Sequence, residues 1–145
     1  MPAFRVGVTI RRPRPEVAAV MFDLRYLPAW LRGIREVEVD SGEPPNVGAC
    51  VALDKDIFEI IEHENEMKLV IEGDTRTLGL SLEGAPVGTI AWLEIQTERT
   101  GLMRVMSYWI DRRRRARAIA DLRRLKQFIE LGSYKTWWTE AEGEA

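Results

Sequence analysis

A chain of 145 residues, 46% of them hydrophobic, is long enough to bury a core of its own and points to one domain. A formal net charge of −2 excludes bulk attraction to nucleic acid or to an anionic membrane. The single cysteine, Cys50, excludes an internal disulfide and suits a reducing cytoplasm, and no apolar run approaches the roughly 20 residues of a membrane span.

The opening segment MPAFRVGVTIRRP is too short and too alternating for a signal peptide. Within it Phe4, Val6, Val8 and Ile10 alternate with Arg5, Gly7, Thr9 and Arg11, which predicts a first strand with one buried face. A helix is expected next, over RPRPEVAAVMFDL. Pro15 suits a first helical turn and Glu16 meets its positive end. Val17, Val20, Met21 and Leu24 share one stripe, with Phe22 at its edge. Pro28 starts a second short helix, LPAWLRG, which Gly33 ends.

Six further strands are predicted over Ile34–Asp40, Gly48–Lys55, Ile57–Glu64, Met67–Asp74, Thr77–Glu83 and Gly88–Glu98. The turn segments SGEPPN, KD, NE, DTR and GAPVG separate them. Connections this short make neighbours antiparallel. One face is expected to carry Val37, Val39, Ala49, Val51 and Leu53, then Met67, Leu69 and Ile71. Leu78, Leu80 and Leu82, followed by Ala91, Leu93 and Ile95, continue it. The stretch Ile57–Glu64 is apolar on both faces, so its orientation stays open.

From Gly101 to Leu131 the chain contains no proline and no internal glycine, and Ala, Leu, Arg and Met fill most of it. One long helix follows, stopped by Gly132. Ala118, Leu122, Leu125 and Ile129 form its apolar stripe, while Leu102, Met103, Val105, Met106, Tyr108, Trp109 and Ile110 make the first half apolar on most sides. Four consecutive arginines, Arg112 to Arg115, advance about 100° each and cannot share a face. Asp111, Arg114 and Arg115 project within about 60° of the stripe's centre, so the apolar face turns polar one or two turns before Leu125. Residues 133–145 read as a polar, acidic tail, in which Trp137 and Trp138 dock on the body or on a second copy of the chain.

This order of elements resembles the START/Bet v 1-like superfamily, the polyketide cyclase/dehydrase and lipid-transport group. The likeness rests on TIRRPRPEVAAVMFDLRYLPAWLRGIREVEV, with Tyr26, Pro28 and Trp30 in the second short helix, on FEIIEHENEMKLVIEG, and on the closing DLRRLKQFIE. It implies an α+β helix-grip fold over residues 1–132. In that fold a seven-stranded curved antiparallel sheet wraps a long C-terminal helix, with two short helices between strands 1 and 2. It further implies a cavity between sheet and helix for a hydrophobic small molecule such as a lipid, polyketide or aromatic compound, with no reaction specified.

The residues add detail to that expectation. Phe22, Trp30, Leu69 and Ile71 are candidate walls, together with Leu80 and Leu93 on the sheet and Met106, Trp109 and Ile110 on the helix. Arg114 is a candidate anchor for an anionic ligand end, because a guanidinium binds a carboxylate through two hydrogen bonds; the alternative is an arginine reaching solvent. An enzyme of the cyclase/dehydratase kind is the second reading, for which His63 and Tyr108 are candidate bases by residue type alone. A Cys50–His63 pair across consecutive strands would need a third, orienting group. A lone histidine provides no metal site, no cofactor motif occurs, and neither nucleic acid nor membrane insertion is expected. An interaction module using the arginine-rich helix is the third reading.

Overall fold

Seven short strands, each apolar on one side and joined to the next by a tight connection, have one way to bury that side together: as one antiparallel sheet. The computed structural model describes residues 3–97 and 107–137. The strands are β1 (Ala3–Ile10), β2 (Val37–Ser41), β3 (Cys50–Leu53), β4 (Asp56–Glu64), β5 (Lys68–Glu72), β6 (Arg76–Ala85) and β7 (Gly88–Thr97). They form one curved sheet in the order β1-β7-β6-β5-β4-β3-β2. The first and second strands therefore lie at opposite edges. Helices α1 (Arg14–Met21) and α2 (Leu27–Trp30), linked by a 3₁₀ turn at Leu24–Tyr26, connect them. Helix α3 (Ser107–Glu130) follows the last strand, and the α+β helix-grip architecture is complete.

Alternation selects the inner face. Ala49, Val51, Leu53, Leu69, Ile71, Leu78, Leu80, Leu82, Ala91 and Leu93 are all buried. Val37 and Ile95 are partly buried against the same core, and two expected members are exposed, Val39 at 52% and Met67 at 42%. Val39 sits on an edge strand beside an irregularity in the β2–β3 register. Met67 belongs to a turn, donating its N–H to Glu64 O at 3.0 Å, and leaves the strand to begin at Lys68. The second strand also starts later than Ile34, because Asp54 takes the N–H groups of Arg35 and Glu36 at 2.9 and 3.0 Å before the ladder can. Those two hydrogen bonds hold the Asp54 carboxyl below its ordinary range.

The β6–β7 hairpin depends on Gly88. Its φ is +107°, a conformation open to glycine at little penalty, and a Cβ there would lie 2.2 Å from Ile10 O. The close approach lets Gly88 pass beneath the end of β1. At the other end of α3, Gly132 has a φ of 72° and stops the helix as its position implies.

Helix α3 lies on the sheet's β1 side through Ala118, Leu122, Leu125 and Ile129, all buried. Burying each of the three large side chains contributes about 2 kcal/mol, which outweighs any exposed ion pair on the same helix. Polar ties then set the helix's position along the sheet. Arg12 donates to Glu130 O at 2.7 Å and covers a last-turn carbonyl, while Lys126 reaches Thr9 O at 2.8 Å. Arg124 donates to Trp30 O at 3.2 Å, and Asp121 accepts the Arg32 N–H at 3.2 Å, joining α3 to the end of α2. Beyond α3, Tyr134 donates to Glu16 at 2.7 Å and Trp137 meets the Phe128 ring edge-on at 5.8 Å. Trp138 lies outside the described residues.

Asp121 is 3% exposed. Burial raises its carboxyl above the ordinary value of 3.8, although the Arg32 N–H and Arg124 pull the other way. The folded chain then holds this proton more tightly than the unfolded chain. Between 3.8 and the raised value, the fold gains stability from this group as pH falls and loses it as pH rises. Urea titrations from pH 7 down to pH 4 should therefore show wild type gaining on Asp121→Asn as acidity increases. In the same assay Leu125→Ala should lower stability by about 3 kcal/mol, and Ile61→Ala, on the exposed face, by under about 0.5 kcal/mol.

Candidate ligand-binding clefts

Two clefts open at opposite ends of the sheet. The first lies between α3 and the strand ends that carry Arg76 and Thr97, and its volume is about 500 Å³. Its apolar surface comes from Leu31, Ile34, Leu78, Ile95 and Ala118. Asp56, Arg76, Arg114, Arg117 and Asp121 supply charge. A cleft of this size and mixed lining suits a small molecule with an apolar body and a polar end.

Of the four consecutive arginines, Arg114 alone lines this cleft. It is half-buried and donates to Thr97 Oγ1 at 2.8 Å, which fixes one side of the guanidinium, and among the described residues its other donors have no partner. Arg112, Arg113 and Arg115 are exposed, with Arg115 lying 5.8 Å from the Phe4 ring. The side chain of Asp111, expected beside Arg114 on the polar continuation of the stripe, is outside the described set. Asp121 was not singled out from the sequence. The available signal was a carboxylate three residues after Ala118 and next to Leu122, on the buried stripe itself.

The second cleft, of about 570 Å³, lies between α1 with the following 3₁₀ turn and the inner face of β2, β3 and β4. Phe22 and His63 both line it. The other candidate wall residues are placed differently. Trp30 is fully buried, with an indole N–H that has no hydrogen-bond partner among the described residues. Leu69, Ile71, Leu80 and Leu93 are buried in the same continuous core and line neither cleft. Met106 lies outside the described residues; Tyr108, Trp109 and Ile110 belong to the first turn of α3, where side chains are not described.

A Cys50–His63 pair does not form. Cys50 alternates with buried Ala49 and Val51 and so points to the outer face, opposite Glu59. His63 pairs with Leu69, which is 1% exposed, and so points inward. Among the described residues, no cluster of three or more His, Cys, Asp or Glu could hold a metal ion. Among the same residues, no helix is long and apolar enough to cross a membrane.

No protein-family model matches the chain, and no curated protein matches it. Solved structures do. Protein BH1534 of Bacillus halodurans superposes with a TM-score of 0.71 at 16% identity, over 89% of this chain and 97% of the other. TTHA0849 of Thermus thermophilus gives 0.69 at 16% identity, over 91% and 99%. DynU16, from the dynemicin biosynthetic locus, gives 0.61 at 20% identity, over 90% of this chain and 48% of its own length. At these identities the likeness is one of fold.

Proposed function

We propose that this protein binds a hydrophobic small molecule with an anionic end in the cleft between α3 and the sheet, for carriage or sensing. The observation that carries the reading is Arg114. It is a half-buried guanidinium steadied by Thr97 at 2.8 Å, on the border of an apolar surface within a volume of about 500 Å³. A bidentate carboxylate contact there is stronger than the same contact in open water, because the surrounding apolar groups exclude competing solvent. The resemblance to the START/Bet v 1-like superfamily supports the same reading, since that group grips its last helix with the sheet around a cavity. A lipid, a polyketide or an aromatic acid has the required shape and charge.

A second reading, conversion of the guest by a cyclase or dehydratase, draws on Asp121. A buried carboxyl with a raised proton affinity in the same cleft is the kind of group that donates or accepts a proton. The two readings separate on the mass and chromatographic retention of the recovered guest. A carrier returns its ligand unchanged, whereas a dehydratase returns a candidate polyketide lighter by one water and a cyclase returns an isomer with a new retention time, and either loses that turnover, but not binding, in Asp121→Asn.

Calorimetric titration with a fatty or aromatic acid and its uncharged alcohol tests the anchor. Arg114→Ala should weaken the acid about tenfold or more and leave the alcohol unchanged. Equal affinities for both ligands before and after the substitution would remove Arg114 from the site.

A further inference from the structure

The cleft beside α1 owes its one histidine to an irregularity in β4. Phe58 and Ile60 of that strand are 1% and 0% exposed and point into the core. Strict alternation would send Glu62 inward next and His63 outward. The register instead shifts between Ile60 and Glu62. Ile61 is the extra residue and is 40% exposed, and pairing resumes with Glu62 opposite Val70 and His63 opposite Leu69. One inserted residue thus re-aims the imidazole into the cleft and turns a carboxylate away from it. Glu66, in the turn that follows, sits at a φ of 60°, where glycine or asparagine is the ordinary occupant, and it lines the same cleft.

The remaining surfaces define what fits. Phe22 and Ala19 of the helical wall face Val51 and the Pro44–Pro45 pair across a volume of about 570 Å³. Asp23 is occupied by Arg25, which donates to it at 3.0 and 2.9 Å. His63 has no hydrogen-bond or ion-pair partner among the described residues. With Glu66 nearby, an anionic guest is repelled, whereas an uncharged hydroxyl can exchange a hydrogen bond with the imidazole. We propose that this cleft is a second ligand site, separate from the one under α3, for a neutral ring compound carrying a hydroxyl group. The rings lie between Phe22 and the proline pair, and the hydroxyl meets His63.

The test uses the full chain, isotope-labelled, in nuclear magnetic resonance titrations with 2-naphthol, naphthalene and 2-naphthoate. Saturable shifts at Ala18, Val51 and His63 are expected with 2-naphthol. Naphthalene and 2-naphthoate should each bind at least about tenfold more weakly. Ala19→Trp, at an exposed helix position that lines the cleft, should abolish the shifts while the spectrum stays that of a folded chain. His63→Ala should weaken 2-naphthol to the level of naphthalene and leave naphthalene unchanged. Shifts that persist in Ala19→Trp, shifts gathered at Arg114 and Ala118 instead, 2-naphthoate binding as tightly as 2-naphthol, or no saturable shift up to the solubility limit would each overturn the proposal. Since the α3 cleft lies at the other end of the sheet, failure here leaves the acid-binding reading standing, and the reverse also holds.

Discussion

The fold depends on one contact, the burial of the Ala118–Ile129 stripe of α3 against the sheet. Strands β1 and β2 occupy opposite edges, so the sheet alone leaves its inner face open between them. Helices α1 and α2 close part of that gap, and α3 covers the β1 side. The large aliphatic side chains supply most of the attraction. Arg12, Asp121, Arg124 and Lys126 contribute less energy but decide where the helix sits: the last three join side chains of α3 to backbone groups elsewhere, and Arg12 reaches the helix's own Glu130 carbonyl. Once α3 is held there, its arginine-bearing half overhangs the strand ends that carry Arg76 and Thr97. The cleft is a consequence of that overhang.

Much of this architecture was legible in the sequence because burial follows periodicity. Val17, Val20, Met21 and Leu24 were expected on one stripe and all are buried; so are Ala118, Leu122, Leu125 and Ile129. Gly132, read as a stop, takes the left-handed conformation. Errors fell where a side chain competed with the backbone ladder. Asp54 captures two N–H groups ahead of β2, and Asp23 caps the 3₁₀ turn by accepting the Arg25 N–H, ending α1 earlier than its apolar pattern suggested. Such captures depend on partners distant in sequence or on a local turn, and apolar spacing carries no trace of either.

The candidate sites were harder to read for a related reason. On β4 the adjacent apolar pairs Ile57–Phe58 and Ile60–Ile61 gave no face, and the register shift at Ile61 is the physical reason, because the inward set changes there. Before it, even-numbered residues point inward; after it, His63 does. The wall residues proposed on β5, β6 and β7 were correctly placed on the buried face, yet burial and access to a ligand are different properties. Leu69, Ile71 and Leu93 satisfy the first without lining either cleft. Arg114 was traced from helical projection alone. Asp121, about two turns later, was hidden because a carboxylate on an apolar stripe reads as noise until its partners are known.

The central claim is that the space between α3 and the sheet holds a guest in the working protein. Native mass spectrometry of the chain purified from its own source addresses it most directly. The account predicts a fraction of the protein carrying a small-molecule adduct, released on denaturation and identified as an apolar acid. Bare chain mass in every preparation, together with no saturable uptake of apolar acids offered to it, would contradict the account.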